Sequence, residues 1–164
     1  MARLGTRTRT NLDQQGFGGL DDQAKARYVW PLRFTPAVGT TLLVIGLILQ
    51  SPVWLGLLAL VALSGALLPG GMLIDQLYNL GVRHLFRTPP LPPMPKPRQF
   101  SYIASTILLT GSAFSFHFGL PVLGFILGGM VAVGGAVLTV TLWCVGSWSY
   151  RAVFGPAMAG LRRR

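Results

Sequence analysis

Two long runs without a charged side chain constrain this chain more than any other feature of its sequence. Residues 99–150 contain no Asp, Glu, Lys or Arg over 52 positions, and residues 34–74 contain none over 41. A helix needs about 20 apolar residues to cross the hydrocarbon core of a bilayer, which is roughly 30 Å thick. Each run is therefore long enough for two crossings. We expect an all-α integral membrane protein with four transmembrane helices in two hairpins.

The positive charges of the chain are confined to three segments. All 14 Lys and Arg residues lie before, between or after the two uncharged runs, and neither predicted hairpin tip carries one. Four crossings place these segments on one side of the membrane, and the positive-inside rule makes that side cytoplasmic. We therefore expect a multi-pass protein with cytoplasmic N- and C-termini. A nucleic-acid-binding surface would not need this partition of a net charge of +10, so we expect no nucleic-acid partner.

Prolines mark the starts of two predicted helices. Pro52 and Pro121 suit the first turn of the returning helix in each hairpin, because proline fixes the backbone there without removing a needed donor. The four crossings are expected at about 35–49, 52–68, 100–118 and 121–142. The predicted segments are a basic N-terminal arm (1–33), a first hairpin (34–72), an amphipathic helix with a Pro-rich connection (73–99), a second hairpin (100–154) and a basic C-terminal tail (155–164).

Two helical segments are expected outside the bilayer on its cytoplasmic side. From Pro121 to Val153 the sequence predicts one continuous helix, about 50 Å long at 1.5 Å per residue. Its last three turns should therefore protrude into the cytoplasm until Gly155 and Pro156 end it. In the N-terminal arm, Asp21–Tyr28 predicts a separate short helix, with acidic residues at its start and basic residues near its end.

The segment between the hairpins predicts a helix that lies in the cytoplasmic interface. Gln76, Asn79, Arg83 and Arg87 recur at helical spacing opposite Ile74, Leu77, Tyr78, Gly81 and Leu85. This separation of polar and apolar faces is typical of an interfacial amphipathic helix. Residues 89–97 then contain six prolines, which favour an extended polyproline spacer. A Pro-rich ligand for a partner's groove is the alternative.

The basic residues of the tails and the connection are candidates for contact with anionic lipid headgroups or with a partner protein. Each contributes roughly 1 kcal/mol of attraction to an anionic membrane surface. These residues are Arg3, Arg7, Arg9, Arg83, Arg87, Arg162, Arg163 and Arg164.

Small residues recur at helical spacing in the two returning helices. They are Gly124, Gly128, Ala132 and Ala136 in one helix and Ala62, Ala66 and Gly70 in the other. Helices associate in lipid by close packing, which small residues permit. Packing inside the bundle and docking onto the helix of another membrane subunit both explain this pattern.

Two residues could carry chemistry. His117 is predicted near the outer end of the third crossing, where it would either bind a haem or pigment or form an interfacial hydrogen bond. Cys144 is the only cysteine. A thiol–disulfide enzyme needs a second sulfur, so Cys144 would act with the thiol of a partner or serve as a small packing residue.

The layout of two hairpins, a basic Pro-rich middle connection and an aromatic last helix with a cysteine resembles domain-of-unknown-function family 4395. The resemblance covers about Arg33 to Phe154. It implies a small bacterial membrane protein of the inner membrane, with two cysteines in a Cys-x-x-Cys setting followed by Tyr in the last helix. Cys144 and Tyr150 match that setting, whereas Ser147 departs from it.

The sequence favours a protein that is not an enzyme. It contains no Glu, and none of its four Asp residues lies in a predicted crossing, so it lacks the clustered carboxylates of acid–base or metal chemistry. We expect a cofactor-free accessory subunit of a larger membrane complex, with a respiratory or photosynthetic assembly as the host class. The alternatives are a thiol-redox protein that uses Cys144 and a pigment or haem binder that uses His117.

Overall fold

A computed structural model describes residues 5–68, 70–86 and 88–161, with side chains as far as residue 154, and the regular secondary structure of this part of the chain is entirely helical. The helices are α1 (Thr6–Leu12), α2 (Asp22–Ile48), α3 (Pro52–Leu67), α4 (Leu73–Leu77), α5 (Arg83–Phe86), α6 (Lys96–His117), α7 (Pro121–Thr141) and α8 (Val145–Leu161). A wide π-helical turn (Tyr78–Val82) joins α4 to α5, and a second one (Asp13–Phe17) follows α1. The prediction of an all-helical fold is confirmed.

Four of the helices form a closed bundle. Helix α3 packs against α6, α6 against α7, α7 against α2 and α2 against α3. Leu43, Leu47, Leu55 and Leu109 are buried in its core. Pro52 and Pro121 begin α3 and α7, as their positions predict, and the two tight turns before them make each hairpin antiparallel.

Length and composition support two membrane crossings. Among the described helices, α2 and α7 are the ones that are both long enough and apolar enough to cross a bilayer, whereas α3 is apolar but has only 16 residues. Only 11% of the most apolar stretch of α7 is buried, whereas a core helix of a soluble protein is mostly buried. The expected four crossings stay a prediction.

Helix α2 begins earlier than the predicted first crossing. The Asp21 side chain caps it by accepting a hydrogen bond from the Ala24 amide at 2.6 Å. The helix then continues for 27 residues through Pro31 and Pro36. The separate short helix expected over 21–28 is therefore the first part of α2, whereas the start of the crossing near Thr35 stays a prediction.

The last helix is broken, which contradicts the prediction of one continuous helix from Pro121 to Val153. Helix α7 ends at Thr141, Leu142 has a left-handed backbone (φ 56°), and α8 begins only at Val145. The predicted stop at Gly155 and Pro156 is also wrong, since α8 continues to Leu161. Pro156 costs α8 one backbone hydrogen bond without ending it.

The break between α7 and α8 is stabilised by the N-terminal part of the chain. Asn11 Nδ2 donates to the Thr141 carbonyl at 2.7 Å, and Gln15 Nε2 donates to the Leu142 carbonyl at 2.6 Å. Arg33 donates to the Val140 carbonyl at 3.0 Å. These side chains satisfy carbonyl groups at the helix end, which is why an apolar sequence without a proline breaks here.

The described part of the arm is packed against the rest of its own chain. Leu12, Phe17 and Leu32 form a buried cluster with Leu142. Lys25 is buried and forms an ion pair with Asp13 at 2.7 Å. The arm therefore forms the end of the bundle where α7 meets α8.

The connection between the hairpins also packs differently from its prediction. Ile74 and Tyr78 are buried, but Leu77 and Leu85 are 65% and 80% exposed, so the four do not share one face. The wide turn at Tyr78–Val82 changes the helical phase between α4 and α5, which accounts for the exposure of Leu85 but not for that of Leu77, which precedes the turn. The Pro-rich connection then folds back onto the bundle, where Met94 packs against Met72 and Ile74.

Candidate functional site

A cavity of about 730 Å³ lies between α2, α3, α6, α7 and α8. Its wall is largely apolar and includes Leu43, Leu58, Leu109, Met130 and Val133. The volume falls in the range of sites that bind small molecules. Met130 and Val133 are also 59% and 65% exposed, so the cavity reaches the outer surface of α7.

One end of the cavity is charged. Arg98, in the first turn of α6, lines this end and is only 4% exposed. Its Nε is buried without a hydrogen-bond partner among the described residues. The two ion pairs within this part of the chain, Arg9–Asp22 and Lys25–Asp13, do not include it. The guanidinium interacts with Tyr102, one turn further along α6, but its unpaired buried Nε–H is costly, and a guanidinium donates strong hydrogen bonds to an anionic ligand.

The nearest carboxylate, that of Asp75, has partners of its own. It is 4% exposed and accepts hydrogen bonds from the Thr35 hydroxyl and, at 3.2 Å, from the Met72 amide. Arg98 precedes the predicted third crossing. Burial opposes its charged form, but the electrostatic effects of Tyr102 and Asp75 outweigh burial and place the pKa of Arg98 above its ordinary value. The end of the cavity therefore keeps a positive charge.

A small polar cluster adjoins Arg98. Ser101 Oγ lies 3.0 Å from Cys144 Sγ and 3.4 Å from Ser147 Oγ. Gly146 permits this approach, because a Cβ there would lie 2.8 Å from the Ser101 Cα. The break between α7 and α8 thus brings Cys144 and Ser147 against the start of α6.

Cys144, the candidate redox residue, lines the cavity and is 7% exposed. Its sulfur contacts Ser101 rather than solvent. Because Cys144 is 7% exposed, a disulfide on another protein has little direct access to its sulfur. Cys144 therefore forms part of the cavity wall, and its role as a redox residue stays a prediction.

His117, the candidate haem or pigment ligand, lies at the other end of α6 from Arg98. The residue is exposed, and its ring packs edge-to-face on Phe118 with 5.2 Å between ring centroids. It lines a second cavity, of about 580 Å³, together with Thr106 and Thr110. The structure therefore separates His117 from Arg98 and Cys144.

The small residues of α7 have two different surroundings. Gly124 and Gly128 are buried, and a Cβ on them would lie 2.8 Å from Phe116 and 2.9 Å from Ser112, respectively. Gly129 and Gly134 instead line the large cavity, and a Cβ on either would meet nothing within 4 Å. Internal packing and the cavity thus account for four glycines of α7.

The remaining predicted packing residues vary in burial. Ala62 is buried in the core, Ala66 and Ala132 are half-buried, and Ala136 and Gly70 are exposed. Whether the exposed ones contact another subunit stays a prediction.

The basic residues predicted to contact lipid or a partner are in part visible. Arg7 is exposed, and Arg9 pairs with Asp22 at 3.2 Å. Arg83 is half-buried beside His84, with 3.2 Å between its Nε and the ring Nε2. Arg3, Arg87, Arg162, Arg163 and Arg164 lie outside the described residues.

Arg98 and Asp75 are the functional candidates that sequence reasoning missed. In the sequence, both are charged residues of the predicted cytoplasmic connection and nothing more. One signal could have identified Arg98, since it directly precedes the longer uncharged run and follows Pro95 and Pro97, which fix where α6 begins. No local pattern indicates that Asp75 is buried.

These features define a small helical protein with two helices of membrane-crossing length and a cavity that ends in a buried cation. Residues 30–154 match the family profile described as Domain of unknown function (DUF4395), and the chain belongs to that family. The matched range agrees with the resemblance seen over about Arg33 to Phe154, which is thereby confirmed. No curated protein and no solved structure matches the chain.

Proposed function

We propose that this protein is a four-helix protein of the bacterial inner membrane that serves as a non-catalytic accessory subunit of a larger membrane complex. Helices α2, α3, α6 and α7 would form the crossings, and both termini and the Pro-rich connection would lie in the cytoplasm. The positive-inside rule supports this orientation, because all 14 basic residues lie before, between or after the two uncharged runs.

The observation that carries the proposal is the uncovered apolar surface of α7. Val122, Ile126, Val133 and Val140 are between 55% and 73% exposed along the length of this helix. The inward face of α7 already packs on α2 and α6. One helix therefore joins the bundle on one side and offers an apolar face on the other, as a subunit that braces neighbouring membrane helices would. A respiratory or photosynthetic assembly is the host class that we propose.

Site-specific photo-crosslinking tests the proposal. A photoreactive residue at exposed Val133 or Val140 should crosslink to another membrane protein in intact cells, and mass spectrometry of the product would identify the host. The same residue at Ala113, which packs on the core, is the control and should give none. A protein that crosslinks only to lipid at both outer positions, and that purifies alone from mild detergents, would refute the accessory role.

Reporter fusions test the four crossings separately. Fusions at residue 90 and at the C-terminus should both report the cytoplasm, whereas a fusion in the turn at residue 119 should report the other side. Residue 90 and the C-terminus in opposite compartments would exclude four crossings, whatever the crosslinking shows.

A further inference from the structure

We propose that the Arg98 cavity binds a single acyl chain that carries an oxyanion head group, such as a fatty carboxylate or a lysophosphatidate. The ligand head would pair with the Arg98 guanidinium, and its chain would extend along the apolar wall between α6 and α7. The inference about depth rests on the membrane placement proposed above, whereas the binding itself does not.

The charge of the ligand follows from the surroundings of Arg98. Arg98 is 4% exposed and its Nε has no hydrogen-bond partner within the described residues, although Tyr102 and the charge of Asp75 act on the guanidinium. The Asp75 carboxylate accepts its hydrogen bonds from Thr35 and Met72. A ligand carboxylate or phosphate would supply the acceptor that the Nε lacks, and a guanidinium binds both groups with charge-assisted hydrogen bonds.

The apolar body of the ligand follows from the cavity wall. Two glycines of α7, Gly129 and Gly134, leave open space where most residues would place a side chain. The rest of the wall away from Arg98 consists mainly of aliphatic groups such as Leu58, Leu108 and Val137. A free inorganic anion would leave this apolar volume without any contact, so the ligand needs a hydrocarbon part.

The depth of the cavity matches one leaflet of a bilayer. On α6 the wall runs from Arg98 to Leu109, a distance of about 16 Å at 1.5 Å per residue. This is about half of a hydrocarbon core of roughly 30 Å. Arg98 directly precedes the uncharged run, so the guanidinium lies at the level where lipid head groups lie. The exposed wall residues Met130 and Val133 provide a lateral path from the lipid.

Native mass spectrometry of the full-length protein in a neutral detergent tests this proposal, with thermal unfolding as a check that each variant is folded. The probes are palmitate, palmitoyl lysophosphatidate, methyl palmitate and inorganic phosphate. We expect one molecule of palmitate or of palmitoyl lysophosphatidate to bind per protein. The ligand that binds with the higher affinity shows whether the site prefers a carboxylate or a phosphate head group. Methyl palmitate and inorganic phosphate should bind at least about tenfold more weakly.

Three variants separate charge from shape. Arg98→Gln should weaken palmitate binding roughly 10- to 150-fold, because a charged hydrogen-bond partner is lost. Gly134→Leu should fill the cavity and abolish binding while Arg98 is intact. Gly56→Leu is the matched control, since a Cβ there also meets nothing within 4 Å but Gly56 lines the other cavity. It should bind palmitate as the unmodified protein does.

The proposal is overturned if methyl palmitate binds as tightly as palmitate, if Gly134→Leu binds palmitate normally, or if Arg98→Gln does so. Binding of inorganic phosphate alone would also overturn it, because the apolar wall would then have no role. None of these results depends on the crosslinking or the reporter fusions, so failure of this inference and failure of the accessory role are distinguishable.

Discussion

Gln15 offers the sharpest test of how the break between α7 and α8 is stabilised. Its amide is 1% exposed and donates to the Leu142 carbonyl across 127 residues of sequence. The variant Gln15→Met keeps the approximate shape of the side chain but leaves the Leu142 carbonyl without this donor. A buried carbonyl that loses its partner costs about 1–3 kcal/mol. The junction should therefore open about 5- to 150-fold more often.

Cys144 reports this opening directly. It is 7% exposed, lies two residues beyond Leu142, and is the only cysteine, so a maleimide label measures one site. When closing is faster than labelling, the labelling rate is proportional to the population of the open junction. We expect Gln15→Met to accelerate labelling of the folded protein by the same 5- to 150-fold factor.

The neighbouring Gln14 supplies the control. Its Oε1 is buried without a hydrogen-bond partner within the described residues, so Gln14→Met removes a polar group that gains little from its surroundings. Labelling of Gln14→Met should be unchanged or slower. Equal acceleration in both variants, or none in Gln15→Met, would refute the view that the Gln15 hydrogen bond holds the junction closed.

Three further tests, two of them with a matched control variant, measure the free energy of unfolding in a titration with a denaturing detergent. Thr35→Val removes a hydrogen-bond donor to buried Asp75 and should lower the free energy of unfolding by about 1–3 kcal/mol. Thr41→Val is the control, because the exposed Thr41 hydroxyl bonds to the Ala37 carbonyl in its own helix, and it should change that free energy by no more than about 0.5 kcal/mol. Gly146→Ala should lower the free energy of unfolding by about 1–3 kcal/mol, because the added methyl group overpacks on Ser101. Gly134→Ala should raise it by up to about 1 kcal/mol, because alanine favours the helix and meets open space there. A more stable Gly146→Ala than Gly134→Ala would contradict this geometry. His117 is exposed, so His117→Ala should change the free energy of unfolding by less than about 0.5 kcal/mol. A visible absorption band that disappears in this variant would support the pigment alternative.

The sequence predicts the helices well where their ends depend on local chemistry. Pro52 and Pro121 begin α3 and α7 because proline at the first helical position is a local signal, and the Ser51 side chain caps α3 by accepting from the Trp54 amide at 3.3 Å. The absence of charged side chains over 34–74 and 99–150 likewise predicts that these runs are apolar helices. These features need no knowledge of which helices are neighbours.

The sequence does not predict the features that depend on distant partners. The break at Leu142 interrupts an apolar run without a proline, because its carbonyls bond to Asn11 and Gln15 more than 120 residues away. Arg98 and Asp75 carry charges that normally indicate exposure, yet the folded connection buries both. The sequence therefore does not reveal the candidate site, because Arg98 belongs to the predicted cytoplasmic connection, where a charge normally indicates exposure.

The dependence of the α7–α8 junction on the N-terminal arm also has a consequence for biogenesis. Asn11 and Gln15 leave the ribosome well before their acceptors at Thr141 and Leu142, which are made about 130 residues later. At roughly 5–20 residues per second, the arm waits for about 6 to 25 s before its docking site exists. Throughout translation of the two hairpins this segment is therefore open to chaperones or insertion factors, and it docks only once the end of α7 has been made.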